Sequence, residues 1–297
     1  MASYRQLVRA AELKRLQVTE AERKKISKIF QDVAKDYGKQ ISSRSSRNIN
    51  SDYLLGYAKE LKANSRYIYA DVQKAIKAGC YNTARAVTGA QMQFWGNINP
   101  TIYNRVADTM TQIPISVVNE ISSGQLYKDG RGLSSRLWRC AQAYERDIDY
   151  IIERGIIERK PALELAYDLE KYLNPGVEKP WEWRKVYPGS NKIVDYSAQR
   201  LARTSVTHAY QMAFVRSTKD NPFIVSYQWH ASNSGRVCPL CEARDGKIYK
   251  KDEVPLDHPN GMCTISAVIE KSYNEIADDI ADWVNGGKNP GLDKWLG

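Results

Sequence analysis

The sequence predicts a mainly α N-terminal region followed by a small α+β C-terminal module stabilised by a zinc knuckle. Three observations predict it. Apolar residues recur at helical spacing through most of residues 1–175. The segment FIVSYQWH, residues 223–230, alternates and is rich in β-branched and aromatic side chains, as a strand is. Cys238, Cys241, His258 and Cys263 stand in the order C-x2-C-x16-H-x4-C, the ligand types and grouping that zinc takes.

Taken in order, Thr19 with Glu22 matches a capping box, and Ile26, Ile29, Phe30, Val33, Ala34 and Tyr37 follow it, so a first helix is predicted over 20–42. The polar run from Ser42 to Asn48 predicts a loop. A second helix is predicted over 51–78, stopped by Gly79, and a third over 80–94. A fourth covers 101–121 and is interrupted near Pro114. After the loop Lys128-Asp129-Gly130-Arg131-Gly132, Ser134 caps the next helix, and two more are predicted near 144–158 and 161–173.

The character changes between 176 and 196, where prolines interrupt the helical period and Trp181, Trp183 and Tyr187 stand close together. This reads as a linker whose aromatics either dock a partner or pack against a core; packing is the commoner case. A helix returns over 197–218, the strand 223–230 follows, and short strands near 247–249 and 264–269 complete a small sheet. A last helix over 273–285 leads into a tail. The predicted layout is therefore a helical region (1–175), a linker (176–196), an α+β zinc module (197–271) and a C-terminal helix with tail (272–297).

Composition narrows the class. With 42% hydrophobic and 26% charged residues in 297, the chain reads as globular rather than disordered. No run approaches the ~18 apolar residues of a membrane span, and the charged start from Arg5 predicts no secretory signal. Five cysteines are too few for a disulfide scaffold. The net charge is +10, and residues 1–50 carry most of it, with 12 Lys/Arg against 5 Asp/Glu. Such a segment is either a solvated helix face or an attractor of phosphate or acidic protein. On the second reading, Arg5, Arg9, Lys14, Arg15, Arg23, Lys24, Lys25, Arg44 and Arg47 are the contact residues for double-stranded DNA or an acidic partner.

The cysteine segment carries the chemistry. Cys238 and Cys241 flank Pro239 and Leu240, so a tight turn aims both sulfurs at one point; Pro259 and Gly261 make a second turn between His258 and Cys263. Four protein ligands close a zinc shell and leave no position for substrate, so the ion is structural and the chain is not expected to be an enzyme. The competing readings are unrelated thiols and a redox CxxC, and the latter lacks a βαβ setting. Cys80 and Cys140 fall in helices as small core residues, and His208 reads as a satisfied structural histidine. His230, at the strand end, is less well spaced as a ligand than His258. There is no G-x-S-x-G, phosphate loop or HExxH.

Residues 197–269 resemble the phage Mu F-like head-morphogenesis proteins, also called minor capsid or minor head proteins. The resemblance lies in Arg203-Thr204, Trp229, Arg236-Val237-Cys238-Pro239-Leu240-Cys241, Asp245-Gly246-Lys247 and His258-Pro259-Asn260-Gly261-Met262-Cys263. The stretch from Lys160-Pro161 to Asn174-Pro175 also looks like minor capsid proteins of phages of Gram-positive hosts. Two departures stand out. Gly261 replaces the first cysteine of the family's closing pair, which makes His258 the fourth ligand. Ser234 replaces an acid that often precedes the Arg-x-Cys.

The resemblance implies a protein present in few copies in the phage head, bound to portal or major capsid protein and in contact with packaged DNA. It would lie in the host cytoplasm during assembly and then in the virion head. The alternatives are a metal-dependent enzyme acting on nucleic acid, or a plain nucleic-acid-binding zinc module.

Overall fold

The computed structural model describes residues 3–45, 48–179, 183–190, 193–232 and 237–297. Ten helices and three strands follow in the order α1 (Tyr4–Ser42), α2 (Ser51–Ile98), α3 (Pro100–Ser123), α4 (Leu133–Ile157), α5 (Ala162–Leu173), α6 (Trp183–Val186), α7 (Tyr196–Thr218), β1 (Ile224–His230), α8 (Pro239–Glu242), β2 (Ile248–Tyr249), β3 (Thr264–Ile269), α9 (Tyr273–Val284) and α10 (Pro290–Leu296) among the described residues. The mainly α chain with a small C-terminal antiparallel sheet matches the predicted class. None of these helices is long and apolar enough to cross a membrane.

Helices are longer than their local signals predict. α1 begins at Tyr4 because Leu7, Ala11 and Val18 extend the buried face back from Ile26. Thr19 therefore lies inside the helix, where its hydroxyl donates to the Arg15 carbonyl at 2.9 Å, and Glu22 pairs with Lys25. The expected capping box does not act as a cap, since turns upstream already supply carbonyls to these N–H groups. α2 runs unbroken through Gly79, because Val72, Ile76, Cys80, Ala84 and Val87 keep one buried face. Burial of that face outweighs the roughly 1 kcal/mol that a helix-interior glycine costs. α4 likewise joins two predicted helices through buried Leu137, Ala141, Tyr144, Ile148 and Ile151.

Other local signals do set boundaries. The Asn99 side chain accepts from the Thr101 N–H at 2.9 Å to cap α3, Pro100 fills the first turn, and Gly124 ends the helix with φ 93°. Pro114 sits inside α3.

The chain forms two compact units, and neither follows the predicted boundary at 175. One comprises Met1–Glu20, Lys77–Gly130 and Ala202–Gly297; the other comprises Ala21–Ile76 and Arg131–Leu201. The physical reason is helix length: α1, α2 and α7 each contribute residues to both units. The predicted linker 176–196 is also not an open connection. Trp183, Tyr187 and Val194 are buried in the second unit; Trp181 lies outside the described residues.

The first unit is built around an aromatic cluster. Phe94 and Trp95 of α2 meet Tyr4, Phe223, Tyr273 and Trp295, with ring centroids 4.8–6.3 Å apart. Gln91 joins it by donating to the Tyr4 hydroxyl and accepting from the Trp95 indole, each at 3.2 Å. The predicted tail is thus the ordered helix α10, with Leu292 and Leu296 buried. The sheet order is β2-β1-β3, all antiparallel, with Tyr227 opposite Tyr249 and Ala267. The second unit packs Phe30, Tyr69 and Tyr144 edge to face, and joins α4 to α5 through a Tyr172–Asp147 hydrogen bond of 2.8 Å.

A continuous α2 makes a specific prediction. Gly89 is exposed within it, with open space where a Cβ would stand. Gly89→Ala should stabilise the protein by about 0.5–1 kcal/mol, seen as a higher denaturation midpoint. No gain would argue against uninterrupted helix there.

Candidate metal centre

The cysteine segment folds into two turns in the first unit. In the first, Pro239 starts the single turn α8, whose N-cap is Cys238. The Cys241 N–H donates to Cys238 Sγ at 3.4 Å, and the Glu242 N–H donates to the Cys238 carbonyl at 2.9 Å. The Asp245-Gly246 turn then returns the chain to β1: Gly246 has φ 72°, its N–H donates to the Trp229 carbonyl, and the Trp229 N–H donates to the Lys247 carbonyl. The second turn, 258–263, precedes β3. Asn260 adopts the left-handed φ of 68°, and the Gly261 N–H donates to the His258 carbonyl at 2.9 Å.

The two turns meet at the predicted ligands. His258 Nε2 lies 3.2 Å from Cys238 Sγ and 3.0 Å from Cys241 Sγ, and Cys263 Sγ lies 3.2 Å from Cys241 Sγ. Ligand atoms round a tetrahedral zinc stand roughly 3.5 Å apart, given Zn–S of ~2.3 Å and Zn–N of ~2.0 Å, and these three contacts are a few tenths of an ångström shorter; Cys238, Cys241 and His258 form one close group, which Cys263 meets through Cys241. His258 Nδ1 lies 3.0 Å from the Pro259 carbonyl, which can only accept, so Nδ1 carries the proton and the Nε2 lone pair faces the sulfurs. This Cys/His cluster fits a metal ion. Cys241 also belongs to a second close group, with Asp257 and Cys263.

Electrostatics separate the two cysteines of the first turn. The Cys241 N–H is the main cause that lowers the Cys238 pKa below the usual thiol value. Burial pushes Cys241 well above it, with Cys263 and Cys238 adding to the effect. Burial disfavours the charged form of His258, but the Pro259 carbonyl, Asp257 and Cys238 together hold its pKa above the ordinary value. A buried thiol such as Cys241 becomes a thiolate only when a cation compensates it.

Of the residues that hold the second turn, Asp257, Thr207 and Gln211 were not singled out by sequence. Asp257 is buried, and its two carboxylate oxygens accept the His258 and Cys263 N–H groups, each at 2.9 Å. Its own N–H donates to Gln211 Oε1 at 2.9 Å, and His208 Nε2 lies 2.9 Å from its carbonyl. One face of α7 supplies the rest. Arg203 donates to Asn260 Oδ1, Thr204 Oγ1 accepts from the Asn260 N–H, and Thr207 donates to the Gly261 carbonyl. Residues 203, 204, 207, 208 and 211 recur at helical spacing, a polar stripe that is the one sequence signal for this role. His208 is therefore a satisfied structural histidine, and His230 bonds Ser266 at 2.7 Å on the sheet.

The basic residues of the amino end are divided. Arg5, Arg9 and Lys14 are exposed in the first unit; Lys24, Lys25 and Arg44 are exposed in the second, with Arg23 half-buried. Arg9 pairs with Glu12, and Arg44 lies over the Tyr53 ring. Arg47 lies outside the described residues. Arg15 departs from the expectation. It is 1% exposed, donates to Thr207 Oγ1 and the Met262 carbonyl, and stands over the Tyr210 ring. Its helix position faces the core, so it supports the cysteine turn and is not a surface for phosphate. Arg236 and Ser234 are outside the described residues.

Residues 147–265 match the family described as phage Mu protein F like protein, a span that contains α7 and Cys238, Cys241, His258 and Cys263. The chain carries a phage Mu F-like region. No curated protein and no solved structure matches the chain significantly. Within the Mu F-like region, Gly261 is explained by packing: a Cβ there would lie 2.2–2.3 Å from the Asp257 carboxylate.

Gly261→Ala should accordingly destabilise the protein by about 1–3 kcal/mol, and Asp257→Ala should relieve that strain. In a double-mutant cycle the pair should cost clearly less than the sum of the single changes, measured by chemical denaturation. Additive costs would show that the two positions do not share space.

Proposed function

We propose that this protein is a structural component of a phage head, a minor head protein held in shape by one zinc ion and lacking catalytic activity. The observation that carries the reading is the Mu F-like match across the Cys/His cluster. Cys238, Cys241 and His258 form one close group and Cys263 adjoins it at Cys241; drawn onto one ion they would supply four ligands, which complete the shell of a structural zinc. When bound, zinc supplies only a cross-link between turns distant in sequence. The protein's own residues prepare that cross-link: Asp257 orders the backbone of two ligands, and α7 fixes the turn between them.

The engagement of the other histidines supports a non-enzymatic role. His208 bonds Tyr127 and the Asp257 carbonyl, and His230 bonds Ser266. The partners that suit this role are the portal or major capsid protein during assembly in the host cytoplasm, and packaged double-stranded DNA in the virion head. The exposed basic residues Arg5, Arg9, Lys14, Lys24, Lys25 and Arg44 are the side chains for an acidic face or phosphates.

Two outcomes are expected. Metal analysis of the purified chain should find about one zinc, and chelation should open Cys238, Cys241 and Cys263 to alkylation while buried Cys80 stays protected. Zinc-free protein with all three thiols already reactive would remove the metal. Co-purification with the portal protein of the same virion is expected; recovery with neither portal nor capsid protein would count against head assembly.

A further inference from the structure

Helix α4 has two faces. Leu137, Ala141, Tyr144 and Ile148 are buried, while Ser135, Trp138, Arg139, Gln142 and Arg146 are exposed. The exposed set falls within one stripe, because the steps of three, four and seven residues return to the same side of a helix. At 1.5 Å per residue it is about 16 Å long. Trp138 is 62% exposed and is not among the buried core residues of its unit. With Arg131, Ser134, Ser135, Arg139 and Gln142 it lines an open concavity of about 520 Å³.

The charge on this face is one-sided. Arg139 and Arg146 make no ion pair among the described residues. The nearby carboxylates are committed elsewhere: Glu145 accepts from Ser65, Asp147 from Tyr172, and Asp149 pairs with Lys62. The stripe therefore presents guanidinium, hydroxyl and amide donors round a single indole, with no carboxylate among them.

We propose that the α4 stripe binds single-stranded DNA, with a base stacked on Trp138 and adjacent phosphates held by Arg139, Arg146 and Arg131. Every unpaired base has a free face, and an exposed indole flanked by cations suits such a strand. In a duplex the base faces are closed by their neighbours, so Trp138 would have no role. A protein partner would need a larger patch with several apolar anchors, about 800 Å² on each side; here Trp138 is the one large apolar side chain of the stripe. The choice of DNA over RNA rests on the phage-head reading; the site itself rests on α4.

Fluorescence anisotropy of the full-length chain with labelled dT15, rU15, an abasic strand and a 15-base-pair duplex tests this. The expected order places dT15 tightest. Trp138→Ala should weaken dT15 about tenfold and leave the abasic strand unchanged, while Trp138→Phe recovers much of the loss. Arg139→Gln with Arg146→Gln should lower the slope of log affinity against log salt by about 1.4. All these positions are exposed, so thermal midpoints should be unchanged. Unaltered dT15 binding by Trp138→Ala, an equal weakening of duplex and dT15 by Trp138→Ala, or tighter rU15 binding would each overturn the proposal. So would equal displacement of dT15 by polyglutamate. Portal co-purification reads out the head-assembly role separately.

Discussion

The buried carboxylate of Asp257 is the constraint on which the candidate metal centre depends. Two of the candidate ligands, His258 and Cys263, are five residues apart, and both of their backbone N–H groups point at this one side chain. A buried charge is tolerated only when its acceptor sites are filled, and here the turn itself fills them. The same carboxylate occupies the space over Gly261, so the turn is closed on both sides. Cys241 then joins this half to the Cys238 turn, standing 3.2 Å from Cys263 and 3.0 Å from His258.

The second turn is held as firmly from outside. Five residues on one face of α7 reach residues 257–261, and Arg15 reaches Met262 from α1. A guanidinium at 1% exposure with no carboxylate at hydrogen-bond distance among the described residues is costly to bury. Burial lowers its pKa, and Tyr210, Glu12, Asp257 and Cys263 act in the opposite sense. A cluster of thiolates round zinc would carry excess negative charge, so a cation beside it is electrostatically consistent with the proposed ion. The polar stripe of α7 is thus the support of the cysteine turns.

The helices show how burial overrides local punctuation. Gly79 reads as a stop and Thr19 with Glu22 reads as a start, yet α1 and α2 run through both. Each signal is worth about 1 kcal/mol, and a continuous apolar face several turns long contributes more. Because these helices are long, each serves two compact units, and a boundary drawn along the chain could not separate them.

The sequence by itself determined the helical class and the small sheet, and it picked out Cys238, Cys241, His258 and Cys263 as a candidate ligand set, since period, β-branched alternation and ligand spacing are local properties. It also carried the Mu F-like resemblance in those same residues. Tertiary structure alone decided that Arg15 is buried, that Asp257 clasps the closing turn, that α10 packs against Trp95, and that Trp138 is left outside. Each of these depends on which side of a helix meets another element. Charge and residue type do not record that, because a side chain 192 positions away, as Thr207 is from Arg15, supplies the partner.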